Sequence, residues 1–348
     1  MTIEVAVLIV SYNSRDDLAV CLPSVLGSVD PGLQIHVVVV DCASSDGSPD
    51  YVQQSFSNVE VVRLNENLGY AGGNNRGYEY IQRTYPDTKY LAILNPDIRV
   101  TSGWLTPLVE HLEANANVAI VQPKILLMDQ PDRIDTAGNQ SHVLGFGFVS
   151  AHGEKDDGRW DKPKEIAFAS GAAMVVSMDA LDESGLFYDA YFMYLEDTEL
   201  SWRMRLRGLK VMYQPTGKVY HAHDPSRTPK HMYWLERNRW SLLLTVYRWR
   251  TLLLLLPMIV SVELMVLVFA LRHGTLGAKL CAYCVWFSRC RGGRRKQIQP
   301  ARTICDRVFL REHTSSFDVT ANRSVRLRAC VNVLMRFYWA MAQLLIRW

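Results

Sequence analysis

The chain has 348 residues, 49% of them apolar and 21% charged, a balance that excludes intrinsic disorder and collagen-like repeats and accommodates one large α/β domain with appendages, or two domains. The formal net charge of +3 conceals an asymmetry: residues 1–223 hold 17 basic and 29 acidic side chains, net −12, whereas residues 224–348 hold 21 and 6, net +15. An acidic body joined to a basic tail points to an anionic partner, either nucleic acid or a membrane surface.

Met1-Thr2-Ile3-Glu4 lacks the basic start of a signal peptide, and the apolar run Val5–Val10 reads as a buried first strand ending in Ser11-Tyr12-Asn13. Asp16–Leu26 is amphipathic and predicts a helix. Ile35–Val40, ending at Asp41, is the second strand, and Val59–Leu64 the third. Asn65–Gly77 then carries four glycines and four asparagines in 13 residues. It predicts a loop with unusual dihedrals, either a tight connection or a close approach to a ligand, leading into a helix near Arg76–Arg83. It is neither a Walker A nor a Rossmann fingerprint. Tyr90–Leu94, ending in Asn95-Pro96-Asp97, is the fourth strand. Strands alternating with helices predict an α/β fold with a mostly parallel sheet, whose ligands lie beyond the carboxyl ends of the strands.

The pattern changes after about residue 225. His231–Leu244 reads as a helix. Leu252–Leu271 is a 20-residue segment, apolar except for Ser261 and Glu263, with Pro257 inside it. That is long enough to span a bilayer. Arg248 and Arg250 precede it, and Arg272 and Lys279 follow. Positive charge on both flanks favours an in-plane or re-entrant helix, kinked at Pro257, over a true span or a buried core helix. In Arg289–Lys296, five of eight residues are Arg or Lys. In the last stretch Val331, Leu334, Met335, Tyr338, Trp339, Ala342, Leu345 and Ile346 recur at helical spacing, opposite Asn332, Arg336, Gln343 and Arg347. This predicts a basic amphipathic helix suited to a membrane interface. The seven cysteines are odd in number and scattered, which suggests reduced thiols in a cytosolic setting. Cys281-x-x-Cys284, with Cys290 nearby, has no second ligand pair at zinc-finger spacing.

The acids that end strands are the chemical signal. Asp41 and Asp97 do so, and Glu196-Asp197 follows the aromatic run Tyr191–Tyr194. Carboxylates so placed suit a divalent metal, and a buried one near it suits a general base, although any one of them also suits a turn or a cap.

In order along the chain, several blocks resemble the family 2 glycosyltransferases of the GT-A fold, over about residues 3–225. They are Val10-Ser11-Tyr12-Asn13, Val40–Ser48, Asn65–Gly77, Asn95-Pro96-Asp97, Ser170–Met174 and Phe192–Arg203. The third block resembles a rhamnosyltransferase-like branch. The resemblance implies that Ser11, Tyr12, Asn13, Asp41, Asn67, Gly72, Asn74, Asn75, Asn95 and Asp97 bind a nucleotide-diphosphate sugar. It implies that Asp97 holds Mg²⁺ or Mn²⁺, with His221 as a further metal or diphosphate contact in preference to His223. Asp197 would be the catalytic base, with Glu196 beside it. Two residues depart from the family pattern. Asn95 replaces the first acid of Asp-x-Asp and leaves Asp97 as the main anionic ligand. Cys42 stands where Asn or Asp is usual, and a thiol is a poor partner for a base.

The tail resembles the extension of some bacterial members, in which Arg237 and Arg239 would meet acceptor phosphates, or else pair with the acidic body. The expectation is thus a catalytic domain at 1–225 and a basic, helical, membrane-associating extension at 226–348. The enzyme would be peripheral or monotopic on the cytoplasmic side. It would transfer a sugar, rhamnose favoured, with inversion to a polyprenyl-diphosphate-linked glycan, and would not bind nucleic acid. The alternatives are a soluble or protein acceptor, a nucleotide-sugar-binding scaffold without catalysis, and a tail that binds nucleic acid.

Overall fold

The computed structural model describes residues 2–182, 185–222, 229–289, 293–317 and 325–348. The chain forms two compact units. The first comprises residues 1–139, 149–204 and 209–225, and the second comprises residues 140–148, 205–208 and 226–348.

The first unit begins with β1 (Ile3–Ser11), α1 (Arg15–Leu26), β2 (Leu33–Asp41), α2 (Ser48–Ser55), β3 (Val59–Arg63), α3 (Gly69–Thr84) and β4 (Tyr90–Leu94). β5 (Ile98–Val100), α4 (Thr106–Ala114), β6 (Val118–Leu127) and β7 (Ile134–Thr136) follow. Two short strands, β8 (Asn139–Ser141) and β9 (Gly147–Val149), carry the chain into the second unit and back. β10 (Lys164–Glu165), β11 (Ala173–Ser177), α5 (Met178–Asp182), α6 (Glu196–Leu206) and β12 (Lys210–His221) complete it. The sheet order is β10-β12-β6-β11-β4-β1-β2-β3, with β5 paired to β12 and β7 to β6. From β3 to β4 it is parallel as expected. β11 then runs antiparallel between β4 and β6, so the whole sheet is mixed.

Alternate residues of the central strands serve opposite faces. Val5, Val7 and Ile9 of β1 pack with Leu18, Leu22 and Leu108 of α1 and α4. Ala6, Leu8 and Val10 pack with Tyr78 and Ile81 of α3 and with Leu200 of α6. Each fully buried Leu or Ile among them contributes roughly 1.5–3 kcal/mol.

The stretch expected as a loop before α3 is helical from Gly69 onward. Its glycines serve close packing on the sheet rather than exotic dihedrals. A Cβ at Gly73 would lie 2.6 Å from Val10 Cγ1 and 2.9 Å from Cys42 Sγ, and one at Gly77 would overlap Leu8. Only Gly69, at φ +71°, needs the left-handed region.

The second unit is helical: α7 (Pro229–Val246), α8 (Trp249–Arg272), α9 (Leu276–Arg289), α10 (Gly293–Ile298), α11 (Asp306–Phe309) and α12 (Val325–Leu345). α8 runs through Pro257 as a single helix. Glu263, the acid in the apolar segment, pairs with Arg239 of α7 and with Lys279 of α9, whose amine is 2.9 Å away. Glu236 joins the same cluster. α8 buries Leu252, Leu255, Met258, Ile259, Val262 and Ala270 and exposes the opposite side. α12 buries Met335, Trp339, Ala342 and Ile346. The amphipathic reading is corrected here: Leu334 and Leu345 are exposed, as are Val333, Phe337 and Leu344, so the outward face is itself largely apolar. Cys281 and Cys284 lie on α9 as exposed free thiols, and Cys290 falls outside the described residues.

His142 sits fully buried in this unit, stacked on Phe317 at 4.3 Å and edge-on to Phe146 and Phe148. Desolvation, with the nearby Arg239 charge adding to it, pushes its pKa down to about 4. An unfolded imidazole takes up its proton near 6.5, so the unfolded state binds the extra proton between these values. The stability from burying a neutral His142 is complete above 6.5 and declines as pH falls toward 4. Urea denaturation should show the stability difference between wild type and His142→Gln shift against the wild type by about 3 kcal/mol from pH 7 to pH 4.

Candidate active site

The candidate site lies at the carboxyl ends of β1, β2 and β4. The parallel register sets Ser11 beside Asp41 and Ile9 beside Leu94, so the polar residues that follow converge on one edge of the sheet. Asn13, with φ +52°, accepts a hydrogen bond from Ser45 N–H at 2.8 Å and donates its own N–H to Ser44 Oγ. Asp41 is buried and accepts from Ser44 N–H at 2.9 Å through Oδ2. Its Oδ1 and the buried Ser11 hydroxyl have no hydrogen-bond partner among the described residues. Tyr12 is 51% exposed above them. Cys42 turns into the core, against Gly73, and burial pushes its thiol up to about 11. A packing role explains why a small apolar side chain stands there.

Asn67 Oδ1 accepts from Gly69 N–H at 2.8 Å and shapes the entry to α3. Three residues expected at the donor also make structural contacts. Gly72 sits inside α3 against Leu68. Asn74 is buried and donates to Tyr70 O within the helix. Asn75 clamps Phe187, donating to its carbonyl and accepting from its N–H at 2.9 Å. The last contact joins α3 to the segment before α6.

That segment is strained. Phe192, Tyr194 and Leu195 have φ of 60°, 70° and 65°, a conformation costing on the order of 1–3 kcal/mol per non-glycine residue. Phe192 O accepts from Ala71 N–H at 3.0 Å, and a Cβ at Gly69 would overlap Phe192 O. Arg203 of α6, ion-paired to the buried Glu199, donates to Gly185 O and Leu186 O. Ser201 accepts from Ala169 N–H. These contacts hold both loops that frame the first turn of α6.

Glu196 and Asp197 occupy that turn. Asp197 Oδ2 accepts from Gly171 N–H at 2.9 Å, and Oδ1 accepts from Thr198 N–H at 2.6 Å. Tyr70 donates to Gly171 O at 2.6 Å and fixes the same peptide from the α3 side. Burial raises the Asp197 pKa above the ordinary carboxylate range, against the opposing pull of those N–H groups. Burial first, and the Asp197 charge second, raise Glu196 well above it. Glu196 Oε2 has no partner among the described residues. Of the two, Asp197 has the N–H donors that favour a carboxylate, and Glu196 has none on Oε2 among the described residues.

On the other side, β5 pairs with β12 so that Ile98 faces His221. His221 Nε2 lies 3.4 Å from Asp97 Oδ2, and its Nδ1 lies 2.7 Å from Asp135 Oδ2 on β7. Asp135 Oδ1 in turn lies 3.0 Å from His152 Nδ1. Burial disfavours the His221 charge, but the Asp135 and Asp97 carboxylates outweigh it and raise the pKa to about 9. His223 falls outside the described residues. Arg237 and Arg239 belong to the second unit. Both are buried. Arg239 is engaged with Glu236 and Glu263 of its own unit. Arg237 lies over the Trp234 ring at 4.3 Å. Neither presents a free guanidinium to a phosphate.

The profile of glycosyl transferase family 2 matches residues 6–185. The chain belongs to this family. It is 24% identical over 249 residues to the N-acetylglucosaminyl-diphospho-decaprenol L-rhamnosyltransferase of Mycobacterium tuberculosis, covering 66% of this chain and 80% of that one. It is also 24% identical over 209 residues to the low-salt glycan biosynthesis hexosyltransferase Agl10 of Haloferax volcanii, covering 60% and 64%. The crystal structure of GalNAc-T7 with UDP, GalNAc and Mn²⁺ superposes with a TM-score of 0.56 at 15% identity, covering 70% of this chain and 48% of that one. The fold is thus GT-A.

In this family 2 glycosyltransferase, no three His, Cys, Asp or Glu side chains converge as a metal cage among the described residues. Asp97 and His221 nevertheless fit a divalent metal that completes its shell with water and substrate phosphate. Asp97 Oδ1 is buried with no partner among the described residues, and His221 is already oriented by Asp135. Asp135 escapes a sequence reading because it lies in a short strand with no motif around it. Only the β6–β7 pairing delivers it. Arg203 is missed for the same reason, since its targets are distant backbone carbonyls.

The seat of α3 is open to test. Gly69→Ala should lose at least about 2 kcal/mol in urea denaturation, because it adds overlap with Phe192 O to the left-handed penalty. Gly32→Ala, at φ +80° with open space around it, should lose only about 1 kcal/mol.

Proposed function

We propose that the protein moves a sugar, rhamnose favoured, from a nucleotide-diphosphate donor to a lipid-linked glycan, with inversion at the anomeric carbon. The observation that carries this reading is Asp197, whose carboxyl is oriented by the Gly171 and Thr198 N–H groups at the first turn of α6. The rhamnosyltransferase relative named for a diphospho-decaprenol substrate supports the sugar and the acceptor class.

The chain's own residues divide the work. Tyr12 and the Asp41 turn receive the nucleotide, with Ser11 Oγ and Asp41 Oδ1 as unclaimed polar atoms there. Asn95 and Asp97 face the diphosphate. Asp97 and His221 would hold Mg²⁺ or Mn²⁺, which supplies positive charge against the leaving diphosphate. Asp197 takes the proton from an acceptor hydroxyl. That oxygen bonds to the anomeric carbon from the face opposite the nucleoside diphosphate, whose C–O bond breaks, so a single displacement inverts the centre. Burial and the neighbouring Asp197 charge both favour the protonated form of Glu196, which limits the negative charge beside the incoming oxygen.

In this reading the catalytic domain is residues 1–225 without 140–148 and 205–208, which belong to the second unit, and that unit, mainly residues 226–348, associates the enzyme with the cytoplasmic membrane face. The net +15 of the tail and its exposed apolar helices support a lipid surface over nucleic acid. Buried Arg237 and Arg239 leave the phosphate contacts to other groups.

Asp197→Asn should lower kcat by about 10²–10⁴-fold while donor nucleotides still raise the thermal unfolding midpoint. Retained turnover with donor protection would overturn the base assignment, and a screen of dTDP-, UDP- and GDP-sugars by the same shift identifies the donor. Asp135→Asn should weaken Mn²⁺ binding, read by electron paramagnetic resonance, by about 10–100-fold. Asp129→Asn, at an exposed position, should leave it unchanged.

A further inference from the structure

We infer that α8 lies in the plane of one membrane leaflet and does not cross the bilayer. This rests on the membrane reading of the tail given above and specifies the partner as the interfacial region of an anionic bilayer. Among the described residues, α8 is the one helix long and apolar enough to span by length and composition. At 1.5 Å per residue its 24 residues reach about 36 Å, so length alone fits either orientation.

Its two faces decide. Leu253, Leu256, Val260, Leu264, Val268 and Leu271 recur every three or four residues and are 49–69% exposed, which makes one apolar row along the whole helix. The opposite face is buried in its own unit from Thr251 to Val262 and again at Ala270, while Met265 and Phe269 widen the exposed apolar surface of the last turns. Midway, Glu263 is bound to Arg239 and Lys279, both themselves buried, so the inner face is fixed to α7 and α9 by charge as well as packing. Removing one partner of such a cluster strands a buried charge, so α8 does not detach as a lone span. Exposed Arg248 and Arg250 stand at one end, and exposed Arg272 and His273 at the other. A span would place one cationic end across the membrane, whereas an in-plane helix keeps both at the anionic headgroups. α12 adds a second anchor. It meets α8 through Tyr338 on Leu254 O and Trp348 on Thr251, and its own exposed row includes Val333, Phe337 and Leu344.

The test uses the full chain with Cys281, Cys284, Cys290, Cys305 and Cys330 each replaced by Ser, leaving only the buried Cys21 and Cys42, bound to sealed vesicles of phosphatidylglycerol and phosphatidylethanolamine. Arg248→Cys and His273→Cys, made separately, should both react with an impermeant maleimide added outside. Labelling of either one only after detergent overturns the inference. A nitrobenzoxadiazole probe at Leu253→Cys, Val260→Cys or Val268→Cys should report one shallow depth by doxyl-lipid quenching. A monotonic change in depth means a span and a mid-helix maximum means a re-entrant hairpin, and either overturns the in-plane placement. The double variant Leu256→Glu, Leu264→Glu should lower vesicle partitioning by about tenfold or more. None of these readouts requires turnover. Wild-type protein left wholly unbound by the vesicles would remove the lipid partner while leaving sugar transfer, assayed on a detergent-dispersed acceptor, to stand or fall separately.

Discussion

The closeness of α3 to the sheet is the constraint on which the first unit turns. Gly73 and Gly77 let the helix backbone descend onto Val10, Cys42 and Leu8, where any Cβ would intrude. That depth sets the helix start against the Phe192 loop. Gly69 admits Phe192 O, Ala71 N–H binds it, and Asn75 clamps Phe187. Positive φ at Phe192, Tyr194 and Leu195 is tolerated because these contacts, with Arg203 below, fix the loop. The loop then delivers Glu196 and Asp197 at a helix N-terminus, where a carboxylate is favoured. A glycine pattern that looks like phosphate-loop chemistry is therefore mostly a packing device, and it acts at a distance on the acids proposed for catalysis.

The two carboxyls at that turn differ because their surroundings differ. Both are raised by burial, but Asp197 has N–H groups to accept from and Glu196 has Asp197. One charge in the pair is affordable and two are not. The same logic runs on the opposite side, where Asp135 and Asp97 flank His221. Asp135 orients the ring and leaves Nε2 toward Asp97, and the two carboxylates favour the charged imidazole, which gives up its Nε2 proton before it can hold a metal.

The tail solves a different problem. An acid in the middle of an apolar helix would be costly if unpaired. Glu263 and Glu236 are instead balanced by Arg239 and Lys279 inside the helical unit. The arginine that reads in sequence as a phosphate ligand is consumed in this balance. The apolar residues of α8 and α12 divide between an inner face that builds the unit and an outer face that remains exposed.

The sequence by itself determined the strands β1 to β4, the helices α1, α7 and α8, and the family, because these are carried by local periodicity and by motifs whose residues are adjacent in the chain. It also placed Asp41, Asp97 and Asp197, since acids at the ends of apolar runs are visible locally. Tertiary structure alone decided the roles of Asn75, Cys42 and Arg239, the recruitment of Asp135 and Arg203, and the antiparallel β11 within the sheet. In each case the deciding partner lies far away in sequence: Phe187 for Asn75, Gly73 for Cys42, Glu263 for Arg239, His221 for Asp135. A side chain's type states which bonds it can make, but which groups lie within 3 Å of it is settled only when strands pair and helices seat, and no local pattern encodes that.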